Sequence, residues 1–165
     1  MNETYAEVVV KRKETAGTMA IRIGLIIAAV LAFFLTFTNS ILLFITAIFI
    51  VGIIYLFPRL SLEYEYVYCD GQLDFDKIMG KSSRKNLLKI QFEQVVVMAP
   101  QNSHALDGYT YVQTKVKDFS SRNKDVKPYV IVTKDGETVT KILFEPNQKM
   151  VDIIRSKYPR KVEQF

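Results

Sequence analysis

Residues Ile23–Phe37 and Ile41–Phe57 are two apolar runs without a single charge, and only Thr38, Asn39 and Ser40 lie between them. A helix rises about 1.5 Å per residue, so the second run covers roughly 25 Å, close to the hydrocarbon core of a bilayer. The first run reaches a similar length if Met19, Ala20 and Ile21 are included and Arg22 extends its charge to the headgroups. A three-residue connection forces the two helices antiparallel. The pattern therefore predicts a transmembrane helical hairpin over residues 18–57, with spans 18–37 and 41–57, and places the chain in the lipid bilayer.

Charge sets the expected orientation. Lys11, Arg12, Lys13 and Arg22 precede or open the first span, Arg59 follows the second, and the connection carries no charge. By the positive-inside rule both termini are cytoplasmic and the turn faces out, in the cytoplasmic (inner) membrane. A secretory signal would need a small-residue cleavage site after the first run, and a second apolar run stands there instead. The one cysteine, Cys69, allows no internal disulfide and no cysteine metal site, in keeping with a reducing compartment. It is expected to be a small buried hydrophobe. Gly24, Ala28 and Ala32 recur every four residues and form a helix-packing face. That face serves either the chain's own second helix, near Ala47, or a homo-oligomer seam. Neither span holds an acidic residue, lysine or histidine at depth, so an ion or proton pathway lacks its usual groups.

Residues 58–165 hold 18 Lys and Arg against 14 Asp and Glu, an excess of 4 with the signs interspersed. This balance suits the surface of an anionic membrane and excludes nucleic acid as a partner, since no basic stripe or reading motif accompanies it. Residues 1–17 form a cytoplasmic N-terminal segment in which Tyr5–Val10 reads equally as a strand or as an interfacial stretch. Pro58 to Leu60 form a linker of about 10 Å, which holds the following domain on the membrane surface. From Leu60 the hydrophobic period becomes two. Leu62, Tyr64, Tyr66 and Tyr68 share one face, with Glu63 and Glu65 on the other. Asp70-Gly71 is a hairpin turn of the type that needs positive φ. Strands are expected at Gln72–Met79, Leu87–Gln91, Gln94–Met98, Thr110–Phe119, Tyr129–Lys134 and Thr138–Phe144, with Pro100 to Gly108 a loop. The period then turns helical: Pro146 sits in a first turn, Met150, Ile153 and Ile154 form an apolar stripe, and Pro159 ends it. The fold class is a membrane helical hairpin plus an α+β domain, a seven-stranded antiparallel barrel capped by a C-terminal helix.

Seven strands and a capping helix are the order of the pleckstrin-homology (PH)-like fold. The stretch Tyr64-Glu65-Tyr66-Val67-Tyr68-Cys69-Asp70-Gly71-Gln72-Leu73-Asp74-Phe75-Asp76-Lys77-Ile78 resembles the start of bacterial PH-like domains of the YcxB type, which also follow a transmembrane hairpin. Ile142-Leu143-Phe144-Glu145-Pro146 is similar to their entry into the helix. The resemblance spans residues 17–158. It implies a membrane-tethered module without catalytic residues or cofactor. The tight, acidic Asp70-Gly71 turn departs from the longer basic loop with which phosphoinositide-binding PH domains hold their ligand.

The basic group Lys81, Arg84 and Lys85 is the candidate lipid-surface contact; otherwise it is a solvated turn. His104 and Asp107 have a suggestive spacing, but no nucleophile motif or second metal ligand accompanies them, so the pair reads as loop surface. The loop around it is a candidate partner-binding surface. The expected function is non-enzymatic: a binding or scaffolding module at the inner membrane face that takes a protein partner. The alternatives are a sensor of anionic lipid surface or a small accessory subunit of a membrane enzyme or transporter.

Overall fold

The computed structural model describes residues 4–80, 83–109, 114–136 and 138–163. Helix α1 runs Ala16–Leu35 and α2 runs Leu42–Leu60. Both are long and apolar enough to cross a membrane, and almost none of either is buried. Thr15 caps α1, its hydroxyl accepting the Thr18 N–H at 3.4 Å. In the connection, Thr36 and Thr38 donate their hydroxyls to the Phe33 and Leu35 carbonyls at 2.6 and 2.8 Å, which closes α1 without charged groups. Helix α2 passes through Pro58 instead of stopping before it. A proline this late forfeits one helical hydrogen bond, and its carbonyl still accepts the Ser61 N–H at 3.1 Å. The expected linker is therefore helix, and Ser61 alone separates α2 from the next strand.

Among the described residues eight strands form two four-stranded sheets, where seven strands in a closed barrel were expected. In the first sheet, β1 (Tyr5–Lys11), β2 (Leu62–Cys69), β3 (Gln72–Met79) and β4 (Ser83–Gln91) lie antiparallel in sequence order. In the second, β5 (Val95–Pro100), β7 (Tyr129–Asp135), β8 (Thr138–Phe144) and β6 (Thr114–Asp118) follow one another. Among the described residues no ladder joins the sheets. The extra strand is β1, which crosses from the start of the chain to pair with β2 from Tyr5↔Cys69 to Lys11↔Glu63. The second sheet is also mixed, because β6 runs parallel to β8. Residues 110–113 of the expected 110–119 strand, and Glu137 of the last hairpin turn, lie outside the described residues.

The core lies between the sheets. Tyr66, Phe75, Phe119 and Phe144 meet there, with Phe75 stacked on Phe119 at 4.9 Å between ring centroids. The buried Tyr66 hydroxyl donates to the Phe119 carbonyl at 2.5 Å, which satisfies it inside the apolar cluster. Helix α3 (Gln148–Lys157) closes one end with Met150, Val151 and Ile154. Pro146 lies before this helix, not in its first turn; Asn147 is the cap, accepting the Met150 N–H at 2.8 Å. Past α3 the chain covers the β5 edge through Met98 N–H to Lys161 O at 2.7 Å and Glu163 N–H to Met98 O at 2.9 Å. The expected 100–108 loop contains a 3-10 turn, His104–Tyr109, whose Leu106 packs under Ala99, Val130, Val132 and Val139.

Gly80 ends β3 with φ 62°, and a Cβ there would lie 3.2 Å from the Pro58 carbonyl carbon. Gly136 has nearly the same φ, 58°, with open space around it. Gly136→Ala should cost only the left-handed backbone, about 1–2 kcal/mol. Gly80→Ala should cost more, because it also pushes against the base of α2. Thermal unfolding of the two full-length variants in the same detergent checks this; equal losses would show that α2 does not press on β3.

Candidate functional site

The sites of greatest constraint lie where the hairpin enters the β-domain. Four residues, Arg12 to Thr15, lead from β1 into α1, and Ser61 leads from α2 into β2. These short segments are tied down. Arg12 N–H donates to Leu62 O at 2.9 Å, Lys13 N–H to Ser121 O at 2.7 Å, and Gly80 N–H to Ser61 O at 3.5 Å. Arg22 braces the helices from inside, pairing with Glu14 at 2.5 Å and donating to the Phe57 carbonyl at 3.3 Å. The Arg59 guanidinium lies 3.9 Å over the Tyr55 ring.

Between the hairpin base and the open mouth of the two sheets is a cavity of about 330 Å³. Among the described residues five cations line it: Arg12, Lys13, Arg59, Lys77 and Arg122. The hydrophobic alternation of β3 explains Lys77. Leu73 and Phe75 turn into the core, and two residues later the same face reaches the mouth with a lysine. Lys77 is half-buried, directly across from Tyr64 on one side and Lys85 on the other. Like charges opposite each other destabilise a sheet. Arg12 is held by the Tyr64 hydroxyl and by Asp118 at 3.6 Å, and Arg122 reaches Asp118 at 2.7 Å. Burial opposes ionisation of Asp118, but hydrogen bonds from Ser120 and Arg122 outweigh it and keep its carboxyl below the usual range. Arg122 adopts φ 59°, a left-handed conformation rare for its type. Lys13, Arg59 and Lys77 have no ion-pair partner among the described residues. From the sequence, Arg12 and Lys13 read with Lys11 as topology-setting, membrane-surface residues, and the five were not brought together as one site, since they come from the segment after β1, from α2, from β3 and from the segment after β6. The one signal was the unusual lysine on an inward-facing position.

The residues named from the sequence are distributed otherwise. Arg84 lies on the outer face of the first sheet and pairs with Glu65 at 2.8 Å. Lys85 is exposed on β4, across from Lys77, and Lys81 lies outside the described residues. On α1, Ala32 is buried, Ala28 half-buried and Gly24 exposed with open space around it. The buried residue of α2 is Thr46, and Ala47 is exposed. His104 and Asp107 meet at 3.1 Å with the imidazole fully exposed. Cys69 is exposed, not buried, because it falls on the outer face, opposite Tyr5 and Gln72.

The outer face of the first sheet holds a second polar group. Glu65 is buried, with its Oε1 on Arg84. Burial, and next the Glu7 carboxylate beside it, raise its pKa. Glu7 itself is held low by the Tyr5 hydroxyl, which donates at 2.5 Å.

A family model described as "Bacterial PH-like domain (DUF6106)" matches residues 2–164. No curated protein matched the chain, and no solved structure did either. A match over nearly the whole length, β1 and the hairpin included, shows the family: this chain belongs to the bacterial PH-like domain family DUF6106. The resemblance to YcxB-type domains anticipated that class.

Proposed function

From that membership, we propose that the protein is a membrane-anchored binding or scaffolding module, not an enzyme, with the hairpin in the cytoplasmic membrane and the PH-like domain and both termini at its inner face. The observation that carries this reading is the double attachment. Both helices enter the domain within four residues, and hydrogen bonds fix each entry, so the domain is held at one height and orientation against the bilayer. Such a mount suits presenting a surface to a partner. It does not suit a domain that must reach out into solution. A protein partner at the inner face is the principal target. The exposed apolar side chains along α1 and α2 support the anchor, since an uncovered surface of that size in water is an aggregation liability. The solvent-facing His104–Asp107 pair has none of the enclosure that acid–base chemistry uses, which supports the non-enzymatic reading.

Cys69 supplies the test. It is the one cysteine and it is exposed. A membrane-impermeant thiol reagent should label it in inside-out vesicles and leave it unlabelled in intact cells. In a Cys69→Ser background, Ser40→Cys in the turn should label in the opposite pattern. Labelling of Cys69 from outside intact cells would place the domain on the other side and overturn the reading.

A further inference from the structure

We propose that the cavity at the hairpin base, lined by Arg12, Lys13, Arg59, Lys77 and Arg122, binds a phosphoryl group, supplied by an anionic lipid of the leaflet against which the domain sits. The inference rests on the membrane reading above and adds a ligand to it.

Three observations meet at this place. First, the charge is unbalanced: Asp118 answers Arg12 and Arg122, while Lys13, Arg59 and Lys77 are left without an acidic partner among the described residues. Glu14, the acid in the lining, is occupied by Arg22 at 2.5 Å. Second, Lys77 is half-buried and faces Lys85 across the ladder. A bound anion removes the repulsion that this pairing imposes on the free protein. Third, the cavity is built from the helix ends themselves. Thr15, the cap of α1, Thr18 of α1, and Arg59 and Leu60 of α2 line it, so a lipid headgroup at the end of the hairpin lies against it. Its volume of about 330 Å³ is at the lower end of the ~300–1,000 Å³ typical of small-molecule sites, enough for a phosphoryl group and a small headgroup alcohol. Guanidinium groups bind phosphate in a bidentate fork and ammonium groups bind it as point charges, and both are present. The site is at the opposite end of the β2–β3 hairpin from Asp70-Gly71.

The test is calorimetric titration of the detergent-solubilised full-length protein with short-chain phosphatidylglycerol, short-chain phosphatidylcholine and inorganic phosphate. Phosphatidylglycerol should bind saturably, one per chain, and phosphatidylcholine should not. The double variant Lys13→Gln/Lys77→Gln should weaken that binding about thirtyfold. Lys115→Gln/Lys117→Gln, an equal loss of charge on exposed β6, should leave it unchanged. Inorganic phosphate binding as tightly as the lipid, with the same dependence on Lys13 and Lys77, would overturn the lipid as its source. Absence of saturable phosphatidylglycerol binding, or an equal loss in both double variants, would overturn the site. Neither failure touches the membrane reading, which stands or falls on the Cys69 labelling.

Discussion

Phe75→Ala should destabilise the β-domain by about 3–5 kcal/mol, the range for removing a buried aromatic side chain. The site is fully buried, and the ring touches Tyr66 on its own sheet and Phe144 on the other, besides stacking on Phe119 just past β6. No strand ladder joins the two sheets among the described residues, so side chains such as this one hold them together. Against a typical total stability of about 5–15 kcal/mol, the loss leaves little margin. Denaturant unfolding of the full-length protein in micelles, followed by circular dichroism, measures it. Val116→Ala on β6, a residue 61% exposed, is the comparison and should stay within about 0.5 kcal/mol. A cost for Phe75→Ala below about 1 kcal/mol would mean that the sheets are held by something other than this cluster. Lys77 is two residues further along the same face, so loosening Phe75 should also weaken phosphatidylglycerol binding at the hairpin base.

Much of this architecture is legible in local pattern. The alternation Tyr64, Tyr66, Tyr68 against Glu63, Glu65 gives β2, and the Asp70-Gly71 turn, with φ values of 46° and 99°, gives its hairpin to β3. Met150, Ile153 and Ile154 give α3. These features depend on neighbours within a few residues. What the sequence hides depends on distant ones. Tyr5–Lys11 has strand composition, but only its pairing with a strand more than fifty residues away, across the hairpin, makes it part of the domain. The parallel placement of β6 beside β8 depends on the path of a long connection, on which periodicity is silent. For Cys69 parity outweighs chemistry: the alternation that buries Tyr68 exposes the residue after it. The basic cavity was hidden for the same reason as β1. Its cations are separated in the chain, and the cluster visible in sequence, Lys81, Arg84 and Lys85, loses Arg84 to Glu65 on the outer face.

That ion pair gives the second large expected effect. Arg84→Ala should cost about 2 kcal/mol at pH 7, below the ~3–5 of a fully buried pair because the Arg84 side chain is 59% exposed. The cost arises at Glu65, a buried carboxylate whose Oε1 would lose its cationic partner. Glu7 and Asp76, facing the same carboxylate, would be left unopposed. The pH dependence identifies the mechanism. The pKa of Glu65 is raised in the folded state by burial and by Glu7, so between its unfolded value, about 4.3, and its folded value the folded chain binds more protons. Stability from this group is therefore fully present below the unfolded value and falls as pH rises through the folded one. Removing Arg84 raises the folded value further and extends that window upward. The difference between Arg84→Ala and the parent should accordingly shrink as pH falls and Glu65 takes up its proton in both. Glu65→Gln in the Arg84→Ala background should restore most of the loss at pH 7, because a neutral amide takes the carboxylate's place. Unfolding free energies of the three proteins at pH 4 and pH 7 decide the matter. A loss that is the same at both values, or that Glu65→Gln fails to restore, would assign Arg84 a packing role through its aliphatic stem, since a charge effect must vanish when the carboxylate is protonated.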